Sequence, residues 1–121
     1  MRGTLRRLLR LVLPAPSFPA DNNGQVLRLC WKSGDRLEIP RPVDFSVLFP
    51  EESLARAAVV PISEIADQVE VSFNAEEGKW DMSATRSMPL THEGVTSYER
   101  KLARAVAPYR GSLDGWGSFL Q

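Results

Sequence analysis

Residues 41–49 read Arg-Pro-Val-Asp-Phe-Ser-Val-Leu-Phe. Val43, Phe45, Val47 and Phe49 take every second place, with Asp44, Ser46 and Leu48 between them. Successive side chains of an extended chain point to opposite faces, so this spacing predicts a strand with one apolar face. Such a face must be covered by a second layer, and the next residues offer one. Pro50 suits the start of a helix, and Glu51 and Glu52 would sit at its positive end. Leu54, Ala57, Ala58, Ile62 and Ile65 then keep helical spacing. Pro61 lacks an N–H and clashes with the preceding turn, which predicts a kink or two short helices.

Alternation returns at Val69, Val71 and Phe73, and again at Trp80, Met82 and Ala84. The stretch between them, Asn-Ala-Glu-Glu-Gly-Lys, predicts a hairpin loop. Thr96 and Glu99 have the spacing of a capping box, so the next helix is placed from there to about Ala107. His92 is then a loop residue, and Tyr98, Leu102, Ala105 and Val106 are the buried face. Pro108 and Gly111 end that helix, and the last ten residues supply a short strand. Within it Asp114-Gly115 suits a tight turn, and Gly117 a close approach or a bulge. Phe119 and Leu120 are expected to complete an edge strand beside the one holding Phe45.

Ahead of Arg41, Asn22 or Asn23 can cap a helix running to about Ser33, with Val26, Leu29 and Cys30 on one face. Gly34 suits its left-handed stop. The order from Arg41 onward is strand, helix, strand, strand, helix, strand. That order predicts an α+β ferredoxin-like β-α-β-β-α-β sandwich: an antiparallel sheet with helices on one face, preceded by a short helix.

Charge divides the chain into two parts. Residues 1–20 hold Arg2, Arg6, Arg7 and Arg10 and no acid, although the chain's net charge is +0. Residues 22–121 form the expected domain, mildly acidic and so a poor phosphate-binding surface. In the basic head, Leu5, Leu8, Leu9, Val12 and Leu13 follow helical spacing, and Pro14, Pro16 and Pro19 form a linker. An amphipathic helix at residues 1–13 could lie on an anionic membrane surface, dock on a partner, or rest on its own domain. It lacks the roughly 20 apolar residues of a spanning helix, and Arg10 breaks the apolar run a secretory signal requires. The single cysteine, Cys30, permits no internal disulfide, and a cytoplasmic location is expected.

Catalytic patterns are missing. One histidine and one cysteine cannot build the usual zinc site. Asp21-Asn22-Asn23-Gly24 resembles the start of a calcium loop but lacks its later ligands, and capping is the better reading. No phosphate-binding glycine loop or nucleophile elbow occurs. His92, a serine and Asp114 have no triad signature, and Asp81 with Asp114 is a carboxylate pair only if the fold brings them together. No enzyme activity and no cofactor are expected.

Ser33–Phe49, the hairpin tryptophan Trp80, the helix Ser97–Gly111 and the ending Leu113–Phe119 occur in the order seen in the RraB family, which this chain resembles over residues 22–121. The most specific parts are Gly34-Asp35 followed by Pro40-Arg41, and Asp114-Gly115-Trp116-Gly117. RraB proteins are regulators of ribonuclease E activity. The resemblance implies the ferredoxin-like sandwich, the absence of catalysis, and binding to the endoribonuclease RNase E with inhibition of transcript breakdown. Its best-known members are strongly acidic, whereas this chain is neutral with a basic head.

Five residues are candidate partner contacts: Arg41, Asp44, Trp80, Asp114 and Trp116. Arg41 lies between two prolines and reads first as one half of a structural ion pair, with Asp114 as a candidate mate. Asp44 projects opposite Phe45, onto the open sheet face expected to dock a partner, and reads equally as a solvated residue or a partner contact. Trp80 and Trp116 read first as packing residues and second as binding anchors. Three functions follow: a ribonuclease regulator, a binding module held at a membrane by residues 1–13, and an RNA-binding sheet. The last would need exposed aromatics on alternate strand positions, with Lys and Arg around them.

Overall fold

The computed structural model describes residues 16–121. Helix α1 spans Asn22–Lys32, strand β1 Arg41–Phe49 and helix α2 Glu52–Ser63. Strands β2 (Gln68–Asn74) and β3 (Lys79–Met88) form the hairpin. Helix α3 covers His92–Val106, a 3-10 turn follows at Ala107–Tyr109, and β4 is Ser112–Gly117. The strands lie in the order β2-β3-β1-β4, every neighbouring pair antiparallel. This is the expected α+β ferredoxin-like arrangement, with α1 added.

The alternation of β1 decides which face is covered. Val43, Phe45, Val47 and Phe49 are fully buried, together with Met82 and Ala84 of β3. From the helices come Leu27 of α1, Ala55, Ala58 and Ile62 of α2, and Val95, Leu102 and Val106 of α3. Tyr98 stacks obliquely on Phe45 at 4.7 Å, and its hydroxyl donates to the Ile65 carbonyl at 2.7 Å. Burial raises the pKa of this phenol above its usual value.

Several local expectations are corrected. α1 is capped by Asp21, not by Asn22 or Asn23: its Oδ1 accepts from the Gly24 N–H at 2.8 Å. Gly34 does take the left-handed conformation, with φ 93°. α2 runs through Pro61 as one helix and stops two residues later, at Ser63. Pro61 falls in the last turn, and the carbonyl it leaves without an N–H belongs to the exposed Ala57. The buried stripe of α2 takes Ala55 in place of the expected Ala57, because residues 57–62 are apolar throughout and blur the period.

α3 begins one turn earlier than the capping-box pattern suggests. Thr91 is its cap, accepting from the Gly94 N–H at 3.0 Å, so His92 is helical and Thr96 and Glu99 lie inside the helix. At the other end Arg110, not Gly111, adopts φ 61°. Gly111 matters for a different reason: a Cβ there would lie 2.7 Å from the Val106 Cβ and 2.8 Å from the Phe49 ring. β4 stops at Gly117, so Phe119 and Leu120 are an exposed tail and not strand residues. The bulge in β4 falls at Asp114–Gly115, opposite the step between Ser46 and Val47, and Gly115 supplies φ 113°.

Candidate functional site

The structure offers two surfaces and one buried anchor. The anchor is Arg41, only 2 % exposed. Its Nη1 donates to Asp35 Oδ2 at 2.6 Å, Nη2 to the Arg36 carbonyl at 2.7 Å, and Nε to the Ile39 carbonyl at 3.1 Å. A longer bond of 3.4 Å reaches the Phe119 carbonyl. Arg41 is therefore an interior ion pair, but with Asp35 instead of Asp114. It ties the turn before β1 to the tail, where the Arg36 N–H also donates to the Gln121 carbonyl at 2.9 Å. The planar guanidinium suits this role, because its fork can satisfy a carboxylate and two carbonyls at once.

The first surface is the uncovered sheet face. Register puts Asp44, Ser46 and Leu48 of β1 beside Thr85, Ser83 and Asp81 of β3, with Gln68, Glu70 and Ser72 of β2 beyond. Thr85 donates to Asp44 at 2.6 Å, and Ser46 to Asp81 at 2.8 Å. Leu48 is the apolar exception, 6 % exposed between Asp81 and Ser112. The aromatics of the strands alternate onto the other face: Phe45, Phe49, Phe73, Trp80 and Trp116 share the register of Val47 and Met82. Among the described residues, the strands thus offer no ring on the open face on which a base could stack. Of its alternate strand positions in β1–β3, Lys79 alone is basic. Its chemistry is anionic and hydroxylic.

Trp80 is half-buried near the hairpin end of the helical face, 5.3 Å from the more exposed Phe73. It packs within the sandwich and does not join the open face. Asp81 and Asp114 belong to different surroundings: Asp81 bonds Ser46 on the open face, while Asp114 lies in the bulge of β4, beyond β1.

The second surface is a groove of about 580 Å³ between the start of α1, the first half of α3, and β4. Asn23 holds its three walls together. Its amide nitrogen donates to Glu99 Oε1 at 2.6 Å and to Thr96 Oγ1 at 3.1 Å, and its oxygen accepts from the Trp116 indole N–H at 2.8 Å. At one end His92 Nε2 meets Asp21 Oδ2 at 2.7 Å. The Gly24 amide, and then the His92 side chain, hold the Asp21 carboxyl below its usual pKa. Asp114, Leu113 and Val26 also line the groove. Trp116 and Asp114 are thus brought together here, while Arg41, Asp44 and Trp80 lie elsewhere.

Sequence reasoning assigned no role in this groove to Asn23, Glu99, Thr96 or the Asp21–His92 pair. One signal was present: Thr96 and Glu99, spaced i, i+3, do share one helix face, and that face serves α1 instead of a cap. Among the described residues no cluster of His, Cys, Asp and Glu could hold a metal ion, and no helix is long and apolar enough to cross a membrane. A family model described as RraB, Regulator of ribonuclease activity B, matches residues 20–118. No curated protein matches the chain.

Proposed function

We propose, because the chain belongs to the RraB family of regulators of ribonuclease activity, that it is a non-catalytic cytoplasmic protein that binds the endoribonuclease RNase E and lowers its activity. The family match carries this reading, since it spans nearly all of the described fold. The open face supports it: Asp44, Glu70 and Asp81 offer an anionic surface without stacking rings, which suits a basic, RNA-handling region of a protein partner better than RNA itself. The action is steric and electrostatic, and requires no metal or cofactor on this chain.

Purified full-length protein should slow cleavage of a model RNA by the cognate RNase E at micromolar concentration, and should bind the enzyme without RNA present. Neither binding nor inhibition in that range would sink the proposal. An affinity pull-down from the host then separates this partner from any other. Recovery of an unrelated protein in place of the ribonuclease would favour a different interaction module on the same fold.

A further inference from the structure

We propose that β2 is the pairing edge of a homodimer: two copies of the chain join antiparallel along Gln68–Asn74, about a two-fold axis at Val71, and continue one sheet into the other. The four-stranded sheet has two edges, and they differ. β4 is broken by the bulge at Asp114–Gly115 and ends after six residues. Bulges, prolines and lysines are the devices that keep an edge strand from pairing with another chain. β2 carries none of them. Its seven residues, Gln-Val-Glu-Val-Ser-Phe-Asn, pair with β3 in unbroken register. Among the described residues no strand pairs with its other side.

The side chains of β2 show the same incompleteness. Val69, Val71 and Phe73 stand on the helical face, the face that is buried along β1 and in the middle of β3. Here burial fades toward the edge: Val69 and Val71 are only partly buried against the core, and Phe73 is 55 % exposed. Phe73 leans on Trp80 at 5.3 Å, and the rest of its ring faces outward. A further strand at this edge would cover all three apolar side chains on one face and satisfy the backbone on the other side of β2.

The order of residues selects a second copy as that strand. A two-fold axis normal to the sheet reverses the strand and keeps the helices of both copies on one face. With Val71 on the axis, Val69 meets Phe73 of the second copy, Glu70 meets Ser72, and Gln68 meets Asn74. Each residue thereby gains a partner of suitable chemistry. Valine and phenylalanine pair on the helical face, and aromatic with β-branched is a favourable cross-strand pair. Carboxylate meets hydroxyl and amide meets amide on the open face. Charge then fixes the register. An axis at Glu70 would set two carboxylates directly opposite each other, which is destabilising. An axis at Ser72 would carry Gln68 past the end of the facing strand. The joined sheet presents Asp44, Glu70 and Asp81 twice on one continuous open face. The inference adds an assembly state to the regulatory reading and does not depend on it.

Sedimentation equilibrium of the full-length protein tests the assembly. The average mass should rise from one chain toward two between about 10 μM and about 1 mM, the range of a small interface. A one-chain mass throughout that range would overturn the proposal. Ser72→Glu, at an exposed position, places like charges opposite each other on both sides of the axis and should weaken dimerisation roughly ten-fold. Adding Glu70→Lys turns both pairs into opposite charges and should restore at least wild-type dimerisation. A dimer indifferent to both changes would overturn the β2 edge as its seam. Mixed isotope-labelled and unlabelled protein should also give a Val69–Phe73 NOE between chains, and a dimer that lacks it would overturn the register. Circular dichroism of each variant checks that the fold is retained, as expected for side chains on the open face. No ribonuclease enters the experiment, so its failure leaves the proposed regulatory function standing.

Discussion

The residues that tie the chain to its family have structural work before any binding work. Gly34-Asp35 and Pro40-Arg41, separated in sequence, are the two sides of one buried ion pair. Removing one partner from such a pair leaves an uncompensated interior charge, which costs about 3–5 kcal/mol. Arg41→Met should therefore lose stability on that scale in urea unfolding, and the Asp35→Asn, Arg41→Met double variant should lose less. Arg41→Lys should not rescue, since a point ammonium cannot serve Asp35, Arg36 and Ile39 together. A wild-type midpoint for Arg41→Met would remove the pair from the account of stability. Cys30 gives a second check at this scale. Burial, and then the Asp35 charge, push its thiol pKa up, so less thiolate is present in the folded protein. Labelling by a disulfide reagent near neutral pH should be slower in the native protein than in urea, and equal rates would contradict its half-buried setting.

At the level of elements, the sequence showed what short-range periodicity can show. β1, β2, β3 and the helices after them were legible because a period of two or 3.6 is written into neighbouring residues. Arg41 was legible too, had the alternation of Val43, Phe45 and Val47 been carried back one step to a buried position. The groove was not legible, because Asn23 meets Thr96, Glu99 and Trp116 across 73, 76 and 93 residues of chain. No local pattern marks an asparagine as the joint of three elements. Start and stop signals failed where two were in competition: Thr91 capped α3 in place of Thr96, and Asp21 capped α1 in place of its neighbours.

Those joints make separable predictions. Trp116→Phe keeps a smaller aromatic ring but loses the indole N–H that donates to Asn23 and part of the packed surface, and should cost at least about 1 kcal/mol in denaturant unfolding; no loss would mean that water replaces the indole without penalty. Truncation after Gly111 removes β4 and exposes the edge of β1, so it should abolish cooperative unfolding, and a soluble, cooperatively folding product would refute β4 as a required strand. The cap of α1 gives a pH signature. Asp21 has a folded pKa below its unfolded one, so its contribution is present above the ordinary carboxylate value and is lost as pH falls through the lowered one. Asp21→Ala should be less stable than wild type near pH 7, and the gap should close as pH falls through the lowered carboxyl value. A gap that persists in acid would show that the carboxylate is not its source.

Across the whole molecule, charge is sorted by face, and the sorting decides what a partner can be. Apart from Pro42 and Leu48 of β1, the apolar residues of the strands are spent on the helical side, leaving Asp44, Glu70 and Asp81 on the open one. A surface of this kind steers association more than it holds a complex, because its charges stay hydrated and salt screens them. Asp44→Asn, Glu70→Gln and Asp81→Asn together should retain the fold, since the amide oxygens can still accept from Thr85 and Ser46. If the open face docks the ribonuclease, association of this triple variant should slow by roughly ten-fold at low salt, with a smaller change in dissociation. Wild type should approach the variant as salt rises. Asp114→Arg, in the groove, acts on the opposite side of the sheet from those three carboxylates and should leave this rate unaltered. Stopped-flow association at two salt concentrations separates the cases. A triple variant that associates at the wild-type rate in low salt would move the docking surface away from the open face and toward the groove.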